Sequence, residues 1–128
     1  MTKNCVKSIK LDNGLTLTLE DISRRISEDA FVVKALFSIE FKVTEADAAY
    51  AGLSLPEVIK VLGSETARFE KLLERNFISE DQKEQVFEEV SSSFLATGLT
   101  YLSHPSFTRG VVRKILVEKR GRYGSLPV

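Results

Sequence analysis

At 128 residues and 14.3 kDa, with 43% hydrophobic and 28% charged residues, the chain has the size and composition of one globular domain, able to bury a core without disulfides or metals. A single Cys excludes an internal disulfide, and one Cys with one His leaves too few soft ligands for an ordinary zinc site. No apolar run approaches the ~20 residues of a membrane helix, and the opening MTKNCVKSIK lacks the apolar stretch of a signal peptide, so the expectation is a cytoplasmic protein without membrane contact.

The formal net charge of zero hides an uneven distribution. Residues 1–64 carry eight Lys/Arg against nine Asp/Glu, and residues 65–104 carry four against eight, a net of −4. Residues 105–128 carry six, Arg109, Arg113, Lys114, Lys119, Arg120 and Arg122, against Glu118 alone, a net of +5. An acidic segment is thus followed by a basic end.

Taken in chain order, the first element is a hairpin. Leu15, Leu17 and Leu19 alternate with Thr16, Thr18 and Glu20, the period of a strand with one apolar face, and Ile9 and Leu11 alternate in the same way before the turn. A two-residue Asn13-Gly14 turn would set Leu11 opposite Thr16 and split the apolar face. A three-residue loop, Asp12-Asn13-Gly14 with Gly14 left-handed, pairs Leu11 with Leu15 and Ile9 with Leu17, so that register is expected. The following link, EDISRRISED, shows no strand period and reads as a polar loop or short helical turn.

From Phe31 to Val43 every odd position is apolar, which predicts a strand of unusual length. It outruns the hairpin arms available to pair with it, so the excess is expected to bend, to be covered by a helix, or to leave an unpaired edge that another chain can take. Val32 and Leu36, on its otherwise polar even face, are the candidate partner-binding residues.

The second half reads as helices. Ser54-Leu55-Pro56-Glu57 is a capping box, after which Val58, Ile59 and Leu62 form a stripe that Gly63 ends. Ser64 is placed to cap a second helix facing inward with Phe69, Leu72 and Leu73. Ser79-Glu80-Asp81-Gln82 reads as a further capping box opening the longest helix, whose stripe is Val86/Phe87, Val90, Phe94, Gly98 and Tyr101 and which Pro105 stops. A last helix carries Val111, Val112, Ile115 and Leu116.

Strands first and helices after predict an α+β fold: an antiparallel sheet of about three strands, the N-terminal hairpin plus one long strand, covered on one face by three to four C-terminal helices. The expected core sets Leu17, Phe37, Ile39 and Phe41 against Val58, Ile59 and Leu62. One domain over 1–120 and a flexible tail over 121–128 are expected.

The search for chemistry is negative in outcome. His104 beside Pro105 sits at a predicted helix end, where an imidazole meets free carbonyls, and so reads as structural. The carboxylates of Glu80, Asp81, Glu84, Glu88 and Glu89 crowd one predicted helix without the Glu-x-x-His partner of a di-iron site. Cys5, in phase with Ile9 and Leu11, reads as a small buried hydrophobe. No glycine pattern cradles a phosphate. If any residues were catalytic, His104, Asp21 and Arg24 would lead, but no catalytic, cofactor or metal site is assigned. Ser91-Ser92-Ser93 with Ala96, Thr97 and Gly98 marks close helix packing.

The expected function is therefore a non-catalytic protein-interaction module that self-associates as a homodimer. The alternative is binding of nucleic acid or another polyanion through Arg109, Arg113, Lys114, Lys119, Arg120 and Arg122, with only Tyr123 nearby to stack on a base.

Overall fold

A computed structural model describes the backbone of residues 5–122 and the side chains of residues 6–119. In chain order the elements are β1 (Cys5–Lys10), β2 (Thr16–Asp21), β3 (Arg24–Ser27), β4 (Ala30–Lys42), α1 (Glu45–Tyr50), α2 (Leu55–Leu62), β5 (Thr66–Ile78), α3 (Lys83–Leu102) and α4 (Phe107–Arg122). The class is α+β with an antiparallel sheet, as expected, but with five strands rather than about three.

The hairpin forms in the expected register. Ile9 stands opposite Leu17 and Lys10 opposite Thr16, and the Leu11 N–H donates to the Leu15 carbonyl at 2.8 Å across a three-residue loop. Gly14 takes φ +89° there, a conformation glycine adopts without steric cost. Asn13 ties the loop down, its Nδ2 donating to the Leu102 carbonyl at the end of α3 at 2.9 Å.

The link read as a loop is instead β3, and the reason lies in β4. Thr18 faces Ser38, Asp21 faces Ala35, Arg24 faces Val32 and Arg25 faces Phe31, one unbroken register. Between the strands the Ile22 N–H reaches the Lys34 carbonyl at 3.1 Å, and the Lys34 N–H reaches the Ser23 hydroxyl at 2.9 Å. β2 and β3 are thus two lengths of one arm along the same edge of β4. All four β3 residues are exposed, so backbone pairing holds the segment without an apolar alternation that could announce it.

The predicted second helix is also corrected: residues 66–78 form β5. It takes the other edge of β4, with the Val43 N–H donating to the Glu65 carbonyl at 2.9 Å and Lys34 3.3 Å from Glu74. Phe69 and Leu73 lie four apart, a spacing that fits one face of a strand as well as a helix stripe. The unsatisfied edge of β4 decided between them, since pairing outweighs an intrinsic preference of a few tenths of a kcal/mol per residue. β4 is therefore paired along both edges, by β2 and β3 from Ala30 to Ser38 on one side and by β5 on the other. Among the described residues β1, β3 and β5 each pair along one edge only.

The described residues fall into two compact units. The first joins the chain up to Ile39 with Glu70–Ser103. Its core holds Leu17, Leu19, Val33, Ala35, Phe37 and Ile39, each at most 3% exposed. Helix α3 covers the odd face of β4: Phe94 stacks on Phe37 with ring centroids 4.3 Å apart, so Phe37 finds its aromatic neighbour on this helix. The helix begins at Lys83, later than the expected capping box. Ser79 bonds Asp81 at 2.7 Å in the turn before it, and Gln82 caps without a side-chain bond. The buried stripe is Phe87, Val90, Ser91 and Leu102, and Tyr101 is exposed, one residue out of phase with the expectation.

The second unit joins Glu40–Phe69 with the chain from His104. The capping box of α2 is present as read, with Gly63 left-handed at its end. A further short helix, α1, starts from a capping box of its own, Thr44 with Asp47. Val111, Val112 and Leu116 of α4 are buried, as are Phe41, Val43, Ala48 and Val58, and the Phe69 ring meets Phe107 edge-on at 5.3 Å. Of the expected tail over 121–128, Gly121 and Arg122 end α4, and 123–128 lie outside the described residues.

Candidate interaction surfaces

The candidates read from sequence do not gather into one surface. Val32 is 4% exposed and therefore buried within its own chain, and Leu36 is half-buried. With β2/β3 on one side of β4 and β5 on the other, both residues lie in a stretch of this strand that is paired within its own chain.

Among the basic residues, Arg109, Arg113 and Lys114 are exposed on α4 and Lys119 is half-buried, while the side chains of Arg120 and Arg122, like Tyr123, lie outside the described residues. Arg109 and Arg113, one turn apart, both approach the Tyr50 ring, at 5.7 and 6.0 Å from its centroid. Each guanidinium thus rests near an aromatic face, a contact worth about 0.5–1 kcal/mol at an exposed site. Tyr50 is the aromatic partner that sequence proximity could not supply, because it lies 59 residues before Arg109.

The residues weighed for chemistry are occupied locally. The His104 Nδ1 accepts from the Ser106 N–H at 3.1 Å and lies 2.8 Å from its hydroxyl, so this ring serves the start of α4. Asp21 accepts from the Ser23 N–H at 3.0 Å, shaping the passage from β2 to β3, and Arg24 is exposed on β3. Glu84, Glu88 and Glu89 are exposed on α3, with Glu89 bonded to Gln85. No cluster of three metal-ligating side chains occurs among the described residues. The Cys5 side chain lies outside them. Of the small residues in α3, Ser91 is buried with its hydroxyl unpaired, Gly98 lies under the Phe94 ring, and Ser92, Ser93, Ala96 and Thr97 face outward.

The surface that sequence reading missed is β5. It runs 13 residues, pairs with β4 on one side, and among the described residues has no strand on the other. From Glu70 to Phe77 only Leu73 is less than exposed. Leu72 is 43% exposed and Phe77 82%, the largest exposure of any large hydrophobic residue described. Phe77 also holds φ +58°, the one non-glycine described with positive φ. Beside it, Arg75 and Ile78 border a shallow cleft of about 260 Å³ whose far wall is Val86, Glu89, Val90 and Ser93 of α3. The charges of the strand alternate in sign around an apolar pair: Glu70-Lys71-Leu72-Leu73-Glu74-Arg75. No helix of the described residues is long and apolar enough to cross a membrane. No protein-family model, curated protein or solved structure matches this chain.

Proposed function

We propose that the chain is a non-catalytic interaction module whose contact element is the free edge of β5. The observation that carries this reading is a long edge strand ending in an exposed aromatic side chain on strained backbone. An unpaired edge offers a row of N–H and C=O groups to an extended partner, and native proteins block such edges or use them. An L-residue in the left-handed region costs about 1–2 kcal/mol, and at 82% exposure the Phe77 ring recovers little of that by packing within the chain. A partner that covers the ring would supply the missing contact.

The test is selection from a random twelve-residue peptide library against the folded protein, followed by hydrogen exchange with the selected peptides. The expected result is slowed exchange confined to residues 70–77 and loss of binding in Phe77→Ser at unchanged melting temperature. Peptides that protect another surface, or a library that yields none, would refute the reading.

A second reading is favoured by Arg109 and Arg113. Both meet the Tyr50 ring, and neither is paired with a carboxylate among the described residues, which leaves their donors for a polyanion. It calls for affinity for single-stranded DNA that falls steeply between 50 and 200 mM salt, as counterion release demands.

A further inference from the structure

We infer that the edge of β5 is built to take an extended segment of another protein in antiparallel pairing, one whose sequence runs acid, base, apolar, apolar, acid, base, and to refuse a second copy of itself. The inference rests on the reading of β5 as the contact element and adds the chemistry of its occupant.

A second copy is the first occupant to consider, because a symmetric dimer is the commonest closed assembly. Two identical antiparallel strands related by a two-fold axis must place some residue opposite its own copy. Residues directly opposite share a face of the sheet, and the axis returns each side chain to the same face, so only registers centred on a residue satisfy the pleat. On a strand spanning Thr66–Ile78, centres 70 to 74 are those that overlap nine residues or more. Each sets like charges opposite one another. Centre 70 opposes Glu70 to itself, centre 71 does so to Lys71, and centre 74 to Glu74. Centre 72 opposes Glu70 to Glu74, and centre 73 opposes Lys71 to Arg75. Only centre 71 returns a favourable pair, Arg68 with Glu74, and that register still sets Lys71 against its own copy. Like charges directly opposite destabilise a strand pair.

The register that would match every charge lies between residues 72 and 73, with Glu70 opposite Arg75, Lys71 opposite Glu74 and Leu72 opposite Leu73. The pleat forbids it to identical copies, because it sets an upward side chain against a downward one. A different chain is free of that parity. Read from its own N-terminus, an antiparallel segment meets Arg75 first, then Glu74, Leu73, Leu72, Lys71 and Glu70. Its complementary order is acid, base, apolar, apolar, acid, base. Antiparallel pairing is favoured because it is the sense of every pairing in this sheet and somewhat stronger per residue than parallel.

The probes are two synthetic peptides of equal composition, Thr-Glu-Lys-Val-Val-Glu-Lys-Thr and Thr-Lys-Glu-Val-Val-Lys-Glu-Thr, labelled and titrated with the full chain by fluorescence anisotropy. The first is expected to bind about tenfold more tightly, the size that four cross-strand charge pairs of a few tenths of a kcal/mol each imply. In Lys71→Glu with Arg75→Glu, both peptides meet two favourable and two unfavourable charges, so the preference is expected to vanish. Both positions are exposed, and an unchanged melting temperature confirms that the variant is folded. Equal binding of the two peptides by the wild-type chain would overturn the charge order while leaving β5 as the contact element. A preference that persists in the variant would do the same. Failure of both peptides to bind overturns this proposal, and the library selection then decides separately whether the edge binds anything. A wild-type dimer in sedimentation that Leu72→Lys dissociates would place a second copy on the strand and also overturn it.

Discussion

Asp47 is 3% exposed, yet it is a carboxylate, and three short bonds explain how the second unit tolerates it. Its Oδ2 accepts from the Thr44 N–H and the Thr44 hydroxyl, both at 3.0 Å, and its Oδ1 accepts from the Thr108 hydroxyl at 2.8 Å. The first bond, together with the Asp47 N–H donating to the Thr44 hydroxyl at 3.3 Å, closes the capping box of α1, and the third joins that helix to the first turn of α4. A buried carboxylate without such donors would be strongly destabilising. Asp47→Ala removes a cap worth about 1 kcal/mol and orphans the Thr108 hydroxyl, so the expected loss is about 2–3 kcal/mol in denaturant unfolding. A loss under about 0.5 kcal/mol would show that water replaces the carboxylate at no cost. Phe77 presents the opposite case, an apolar side chain left in solvent on costly backbone.

Among the elements, the hairpin is specified by its own residues. Its loop needs a left-handed residue at the last position, and Gly14 supplies it at φ +89°. A Cβ added there meets nothing within 4 Å, so the penalty of Gly14→Val is conformational alone. We expect a loss of about 1 kcal/mol or more, read as a lowered melting temperature, with the strand register kept by the leucines on either side. An unchanged melting temperature would mean that the loop relaxes to another turn type. β5 is the contrary element. Its Phe69 and Leu73 satisfy two periods at once, and its run of Glu, Lys, Leu and Arg favours a helix in isolation. It is a strand because β4 offered an edge, and it remains an edge strand because no other strand among the described residues pairs with it.

On the scale of the whole molecule, β4 is the organising strand. It pairs β2 and β3 along one edge and β5 along the other, and its odd side chains from Phe31 to Phe41 are buried. Phe37 is fully buried and stacked on Phe94 of α3. Phe37→Ala is therefore expected to cost about 3–5 kcal/mol by equilibrium unfolding, the range for emptying a fully buried aromatic site. A loss below about 1 kcal/mol would mean that α3 does not pack on the sheet as described.

How much of this was legible depends on how far apart in the chain the deciding groups lie. The hairpin and its register, the capping box of α2, the alternation of β4 and the buried stripe of α4 are each written within a few consecutive residues, because turn conformation, capping and amphipathic period are local. The polar strand β3 carries no such period. It exists because its backbone extends the register of β2 along β4, and the sequence of Arg24–Ser27 alone contains no trace of that partner. The candidate surface escaped for the same reason. Composition gave an interaction module without catalytic groups as the expectation, and alternation suggested an open edge, which was assigned to β4. Which strand ends the sheet is fixed only when Val43 meets Glu65 and Lys34 meets Glu74, pairings 22 and 40 residues apart. Strand pairing satisfies backbone groups that every residue carries, so side-chain sequence encodes it weakly, and tertiary structure alone decided that β4 is central and β5 exposed.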